Sequence, residues 1–216
     1  MLILLPPSEG KARPEAGEPV VLGSLAFAEE LGAKREELID AFDPVLRKAP
    51  AAPAAEVYTG VLFQRLWLPE LPAKARRQVL IASALWGFVQ PDDCIPYYKF
   101  PPKTRLDGIG APAAYWRPAL AEALPDRKGE LVVDMRSAAY GSFWKPKQAT
   151  LLAVRAFTEQ DGERKAVSHM AKAVRGDVAR ALLEAKKPPA NPEAAATLAE
   201  SAGFTVELDD TLDVIV

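Results

Sequence analysis

The chain has 216 residues, of which 49% are hydrophobic and 26% charged, and these values are typical of one globular domain. Its single cysteine, Cys94, excludes an internal disulfide and a cysteine-built zinc site, and its single histidine, His169, excludes a paired-histidine metal site. The 27 Lys and Arg residues against 29 Asp and Glu give a net charge of −2, so no overall basic field indicates a nucleic-acid partner.

The first residues form a short apolar run, Met1–Leu5, which predicts a buried strand ended by two prolines. The run is too short for a signal-peptide core or a membrane span, so we expect a cytoplasmic protein with no membrane association. After a loop rich in proline and glycine, Ser24 is the predicted N-cap of a helix. This helix is expected to continue to about Lys48, with interruptions at Gly32 and Pro44.

The rest of the chain mixes apolar runs with helical patterns. Further buried strands are predicted at Gln78–Leu85, Glu130–Met135, Thr150–Arg155, Lys165–Val167, Phe204–Leu208 and Leu212–Val216. Helices are predicted at Ala111–Leu124, His169–Lys187 and Pro192–Ala202. Because strands and helices do not alternate regularly and no linker or repeat divides the chain, we expect one mixed α/β (α+β) domain over residues 1–216.

Two polar segments follow predicted buried strands, where the loops of an α/β sheet bring side chains to a ligand crevice. The first, PPSEGK, places Ser8 and Lys11 beyond the first strand, with a spacing that differs from a Walker A phosphate loop. The second, VVDMRSAAYGSFWKP, presents cationic and hydroxyl donors suited to phosphate or carboxylate groups, namely Arg136, Ser137, Tyr140 and Lys145. The alternatives are a polar surface turn in the first segment and a pairing of Arg136 with Asp134 in the second.

The segment SHMAKAVRGDVARALL combines a histidine with a basic helix face. Lys172 and Arg175 are three residues apart and so share one face, and His169 at the helix start titrates near neutrality when unperturbed. Gly176 lies inside the helix, where glycine is about 1 kcal/mol less favourable than alanine, so we expect another backbone or a ligand to approach it closely. An exposed basic stripe and a structural histidine are the alternatives.

The segment ALWGFVQPDDCIPYYKF mixes aromatic side chains with Lys99 and two aspartates. We expect one of Asp92 and Asp93 to cap a turn after Pro91, with metal binding or contact with Arg136 as the alternatives. The aromatic residues belong either to the core or to a surface on which bases stack.

Nine short motifs follow one another along the chain. They are S-x-x-K at 8–11, YTG at 58–60, LWG at 85–87, P-x-D at 91–93, P-x-Y-K at 96–99, a tryptophan at 116, R-S-x-x-Y at 136–140, K-P at 145–146 and K-x-x-R-G at 172–176. In this order they resemble the peroxide stress protein YaaA family, and the resemblance covers the chain from Leu2 to about Phe204. The version RSAAYGSFW resembles an actinobacterial or Deinococcus-like branch of that family.

The resemblance implies an α/β architecture called the cantaloupe fold, a positively charged cleft and a link to oxidative stress and free intracellular iron. It also implies binding of duplex or branched DNA, which in the family involves a helix-hairpin-helix. Here the segment LGAK, Leu31–Lys34, is the candidate remnant of that hairpin. The family motif S-[DN]-E-Y reads SAAY in this chain, so two polar side chains are absent at Ala138 and Ala139.

The residues and the resemblance together predict a protein of the hydroperoxide response whose basic cleft binds an anionic ligand without a cofactor or metal. DNA phosphates, bound without sequence specificity, are the first candidate ligand. The expected cleft residues are Ser8, Lys11, Tyr58, Lys99, Arg136, Ser137, Tyr140, Lys145, Lys172 and Arg175.

The main alternative is an enzyme that acts on a small anionic metabolite in the same cleft. Its candidate catalytic residues are Lys11, Tyr140 and His169, and neighbouring cations are expected to lower the pKa of Lys11 toward the range of a base or nucleophile. A metal-handling protein is a third alternative, and it would need a site built from carboxylates alone.

Overall fold

The computed structural model describes residues 1–160, 163–166 and 170–216. In these ranges the strands are β1 (Leu2–Leu5), β2 (Ala51–Pro53), β3 (Val79–Ser83), β4 (Gly87–Val89), β5 (Cys94–Pro96), β6 (Leu131–Asp134), β7 (Thr150–Gln160), β8 (Glu163–Ala166), β9 (Thr205–Leu208) and β10 (Thr211–Ile215). The α-helices are α1 (Ala28–Phe42), α2 (Ala54–Val57), α3 (Val61–Leu66), α4 (Ala73–Arg76), α5 (Pro112–Ala123), α6 (Ala138–Gly141), α7 (Met170–Glu184) and α8 (Pro192–Ser201).

The main sheet is mixed, which confirms the predicted α/β class. Its strand order is β4-β3-β1-β6-β7-β10-β9, and β8 pairs with β7 beside this path. The inner pairs β3–β1, β1–β6, β6–β7 and β7–β10 are parallel, whereas β4, β8 and β9 pair antiparallel. A second small sheet pairs β2 with β5.

Strand β1 is an inner strand of the sheet and lies between β3 and β6. All four of its residues are buried, as expected of an apolar run flanked by parallel neighbours on both sides. The chain continues from β1 to β3 on one side and later places β6 on the other side. This reversal of strand order opens a crevice outside the carboxyl ends of β1 and β6, the position at which open α/β sheets bind ligands.

Helix α7 packs against the short helix α3 through Gly176. A Cβ atom at this position would lie 2.5 Å from the backbone oxygen of Leu62 and 2.8 Å from Cβ of Arg65. The predicted close approach at Gly176 is therefore confirmed, and the approaching group is a backbone. Beside it, the guanidinium of Arg65 pairs with Asp177 at 2.8 Å, which joins the two helices at their surface.

The predicted start of the first long helix is wrong. Ser24 belongs to a short 3-10 helix, Leu22–Ser24, and caps no α-helix. Helix α1 begins at Ala28, directly after Phe27, whose φ of 60° puts the chain in the left-handed region. The predicted break at Gly32 is also absent, because a single glycine lowers helix propensity without ending a helix whose apolar face is buried.

This continuity also overturns the hairpin interpretation. The segment Leu31–Lys34 lies inside α1, where Leu31 is fully buried in the core and no turn separates two helical halves. Helix α1 ends at Phe42, and Pro44 begins a separate 3-10 helix, Pro44–Lys48, capped by Asp43. The segment LGAK is therefore no remnant of a helix-hairpin-helix.

The other predicted helices agree with α5, α7 and α8 to within about three residues. Helix α7 begins at Met170, and His169 lies outside the described residues, as does Val167 of the predicted strand Lys165–Val167. No helix in the described ranges has both the length and the apolar character needed to cross a membrane.

Candidate functional site

A cleft of about 760 Å³ lies at the carboxyl ends of β1 and β6. Its lining comes from the loop after β1, the start of α3, residues 98–102, the segment around α6 and one face of α7. A space of this size is within the range of small-molecule sites, about 300–1,000 Å³. Because β1 and β6 run parallel, their following loops meet at one sheet edge and build this cleft together.

Cationic side chains outnumber anionic ones in this cleft. Lys11, Lys99, Lys172 and Arg175 line it, and Glu9 is the one carboxylate-bearing residue among the described residues of the lining. Lys99 and Lys172 are exposed, whereas Lys11 and Arg175 are half-buried. The chain as a whole carries a net charge of −2, so the positive charge of the cleft is local and does not reflect the charge of the whole protein.

Most of the sequence-predicted cleft residues come together here. The lining contains Ser8, Lys11, Lys99, Ser137, Tyr140, Lys172 and Arg175. Tyr58 is buried behind the lining, where it contacts the lining residues Lys11, Tyr98 and Phe63. His169, a catalytic candidate, lies outside the described residues, and its role stays a prediction.

Arg136 and Lys145 are not part of the cleft lining. The buried guanidinium of Arg136 donates to both carboxylate oxygens of Asp134 at 2.8 Å and to the backbone oxygens of Tyr140 and Trp144 at 3.2 and 2.8 Å. Arg136 thus holds the loop after β6 in shape, as the structural alternative expected. Lys145 lies with Arg117 and Lys147 in a separate hollow of about 430 Å³.

The amine of Lys11 is the most unusual charged group in the cleft. Its Nζ donates to the backbone oxygen of Ser8 at 2.5 Å and lies 4.7 Å from the ring centre of Tyr98 and 5.6 Å from that of Tyr58. Burial lowers the pKa of Lys11 to about 8, against a smaller opposing effect of Glu9. The direction agrees with the sequence-based expectation, but the cause is burial and not neighbouring cations.

A chain of buried hydroxyl groups lies beneath Lys11. The hydroxyl oxygens of Tyr58 and Tyr98 are 2.7 Å apart, and the Tyr98 oxygen is 2.7 Å from Oγ of Ser83. Because Ser83 Oγ already accepts the backbone N–H groups of Leu85 and Trp86, it donates to Tyr98, and either tyrosine hydroxyl can donate to the other. Burial raises the pKa of Tyr98 to about 12 and raises that of Tyr58, so both hydroxyls stay protonated at neutral pH.

Two further side chains shape the cleft. Arg175 donates through Nε to the backbone oxygen of Val154 at 3.1 Å, and burial lowers its pKa. Tyr140 is buried and lines the cleft, and burial raises the pKa of its hydroxyl. Both side chains line the cleft and carry hydrogen-bond donors, a guanidinium in Arg175 and a hydroxyl in Tyr140.

Comparison with known proteins assigns the chain to a family. A sequence model described as peroxide stress protein YaaA matches residues 1–209. The chain belongs to the peroxide stress protein YaaA family. A UPF0246 protein of Streptomyces coelicolor is 38% identical over 97% of this chain and 93% of its own, and one of Corynebacterium efficiens is 34% identical over 97% and 96%. An uncharacterised protein of Campylobacter jejuni is 33% identical over 71% and 62%.

Motifs that are far apart in the sequence of this chain meet at the cleft. The backbone N–H of Gly60 in the YTG motif donates to Ser8 Oγ at 2.7 Å, and a Cβ on Gly60 would lie 2.2 Å from that oxygen. Lys11 forms an isolated antiparallel bridge with Tyr58 of the same motif. The glycine of YTG is therefore needed for the close contact with the S-x-x-K loop, a role that its sequence context alone does not indicate.

No group of three or more His, Cys, Asp or Glu side chains in the described ranges could hold a metal ion. Asp93 accepts backbone N–H groups from Ala26 at 3.0 Å and from Gln90 at 2.8 Å, which confirms its predicted role as a turn cap. Asp92 pairs with Arg76 at 2.6 Å. Both aspartates thus have structural partners.

Proposed function

We propose that this YaaA-family protein acts in the cytoplasmic response to peroxide by binding the phosphate groups of DNA in the cleft between β1 and β6. The observation that carries the proposal is the convergence of Lys11, Lys99, Lys172 and Arg175 on one cleft of a chain with a net negative charge. Cationic side chains bind phosphates strongly but carry no sequence information. Binding is therefore expected to be independent of DNA sequence.

The size of the cleft supports a particular mode of binding. A space of about 760 Å³ holds one nucleotide unit and is too small for the full width of a duplex. DNA exposes single nucleotides of this size at strand ends, at branch points and where a nucleotide is displaced from the duplex. We therefore expect branched or frayed DNA to bind more tightly than an intact duplex.

The first prediction concerns salt and the two exposed cleft lysines. In a titration of fluorescent DNA, affinity should fall steeply as salt rises, because released counterions drive the binding. The double variant Lys99→Gln/Lys172→Gln should bind at least about tenfold more weakly, a change of ~1.4 kcal/mol. Its plot of log affinity against log salt should be less steep by about 0.9 for each phosphate that the variant no longer neutralises.

A matched variant separates this effect from net charge. Lys48→Gln/Lys128→Gln makes the same change in net charge at two exposed positions outside the cleft lining. It should bind like the unmodified protein. An equal weakening in the two double variants, or an affinity that does not depend on salt, would argue against a phosphate site in the cleft.

A second candidate function is an enzyme that acts on a small anionic metabolite. Lys11 favours it, because a half-buried amine with a pKa of about 8 supplies a neutral base or nucleophile near physiological pH. Lys172 and Arg175 would bind the anionic group, and Tyr140 would supply a protonated hydroxyl. The two functions share one cleft and differ in whether Lys11 reacts.

A further inference from the structure

We propose that Lys11 forms an imine with an aldehyde or ketone carbonyl that lies next to a phosphate or carboxylate group. The inference rests on the proposed function, since the cleft cations must hold the anionic group for the carbonyl to reach the amine. Two sources offer this chemistry: the ring-opened sugar of an abasic nucleotide in DNA, and a small 2-oxo or aldehyde acid. Both place a carbonyl within a few bonds of an anion.

The surroundings of Lys11 suit a nucleophile better than a simple phosphate contact. Its Nζ has the Ser8 backbone oxygen as a partner, and this acceptor takes one N–H from the amine in either protonation state. No carboxylate of the described residues forms an ion pair with Nζ, and Glu9 acts on it only at longer range. With a pKa of about 8, roughly a tenth of the amines are neutral at pH 7, and each neutral amine has a free lone pair.

The loop that carries Lys11 keeps the amine in place. Two prolines precede it, Ser8 Oγ is bound by the backbone of Gly60, and the Lys11 backbone bridges to Tyr58. The rings of Tyr58 and Tyr98 support the side chain below Nζ. A fixed amine is what attack on a carbonyl requires, because the reacting atoms must meet in a defined geometry.

The anionic part of the substrate has its own partners. Lys172 and Arg175 lie one helical turn apart on α7 and line the same cleft as Lys11. The Nε of Arg175 is bound to Val154, which leaves the terminal nitrogens of its guanidinium for a ligand. These two cations would hold a phosphate or carboxylate while the neighbouring carbonyl faces Nζ.

The reaction balances without an oxidant or reductant. The neutral Nζ attacks the carbonyl carbon, a C–N bond forms, and the carbonyl oxygen gains a proton as the nitrogen loses one. The resulting carbinolamine then releases its hydroxyl group and a second nitrogen proton as water, and a C=N bond forms. Tyr140 also lines the cleft, and burial keeps its hydroxyl protonated, so this hydroxyl would donate a hydrogen bond to the carbonyl oxygen.

Reductive trapping tests the proposal. The protein is incubated with cyanoborohydride and either a duplex that carries one abasic aldehyde nucleotide or glyoxylate, and adducts are mapped by mass spectrometry of peptides. We expect Lys11 to be the main modified residue with at least one probe, and the reactive probe identifies the source of the carbonyl. Trapping should weaken as the pH is lowered below about 8, because the protonated amine cannot attack the carbonyl.

Controls separate site chemistry from general lysine reactivity. A duplex with a tetrahydrofuran in place of the abasic aldehyde should give no adduct, and Lys74→Arg, at an exposed position on α4, should leave trapping unchanged. Lys11→Arg should abolish the adduct and keep DNA binding within about tenfold, since arginine retains the charge but does not deprotonate. Mapping the adducts on the unmodified protein tests the proposal without any variant, and it remains valid even if Lys11→Arg folds poorly.

Two results would overturn the proposal in distinguishable ways. If both probes modify lysines in proportion to exposure, or leave Lys11 unmodified, while the cleft variants still weaken DNA binding, imine formation fails and the proposed function stands. If Lys11 reacts equally well with neutral propanal and inorganic phosphate does not slow the reaction, Lys11 is reactive but the anionic site is absent.

Discussion

The variant Gly176→Val is expected to lower the free energy of unfolding by about 3 kcal/mol, the upper part of the range for added bulk in a packed interface. Its new side chain would meet the backbone oxygen of Leu62, at 2.5 Å from the Cβ position, and Cβ of Arg65, at 2.8 Å. A backbone oxygen cannot rotate away, so helices α3 and α7 must separate. Urea unfolding measures the effect.

A matched glycine in another helix is the control. Gly32 lies inside α1, and a Cβ there would meet nothing within 4 Å. Valine is slightly better than glycine in a helix, so Gly32→Val should leave the unfolding free energy within about 0.5 kcal/mol or raise it. Equal destabilisation by the two variants would contradict the close packing of α3 on α7.

Because α7 also carries Lys172 and Arg175, Gly176→Val should weaken anion binding as well.

The variant Arg136→Gln is expected to lower the free energy of unfolding by about 3–5 kcal/mol, as for the loss of one partner of a buried ion pair. It leaves the largely buried carboxylate of Asp134 without its guanidinium and releases the backbone oxygens of Tyr140 and Trp144. Thermal or urea unfolding tests this. The exposed neighbour Lys145 gives the comparison, since Lys145→Gln should change stability by less than about 0.5 kcal/mol.

This pair of variants also decides the role of Arg136. If Arg136→Gln were as stable as the unmodified protein and lost only ligand binding, Arg136 would be a ligand-binding residue and its structural role would be refuted. If the Arg136→Gln variant unfolds at a much lower urea concentration, the loop after β6 depends on the Arg136 side chain. The positions of Ser137 and Tyr140 in the cleft would then depend on this side chain too.

The strands that position the site could be predicted from sequence, because each is marked by a short run of consecutive apolar residues. The apolar runs of β1 and β6 are short, buried on both faces and followed by polar residues, so both the strands and the sheet edge with the cleft could be inferred. The start of α1 could not, because Phe27 adopts a left-handed conformation that a non-glycine residue rarely takes. Ser24 has the side chain of an N-cap but lies in a 3-10 helix.

Some residues of the site could likewise be predicted from sequence, and others could not. Ser8, Lys11, Ser137 and Tyr140 could be placed together because they follow parallel neighbouring strands. Arg136 could not be separated from them, because residue spacing on an irregular loop does not tell which side chain turns inward. The hydroxyl chain of Ser83, Tyr98 and Tyr58 depends on contacts between residues 15 and 40 positions apart, which no local pattern reveals.

Binding of the anionic ligand in the cleft between β1 and β6 underlies both the proposed function and the chemistry of Lys11. A crystal structure with a bound deoxynucleotide tests it most directly, because the phosphate position is visible. We predict that the phosphate lies within hydrogen-bond distance of Lys172 and Arg175, with the sugar toward Lys11. A phosphate found instead in the hollow of Arg117, Lys145 and Lys147, with the cleft unoccupied at saturating nucleotide, would contradict binding in the cleft.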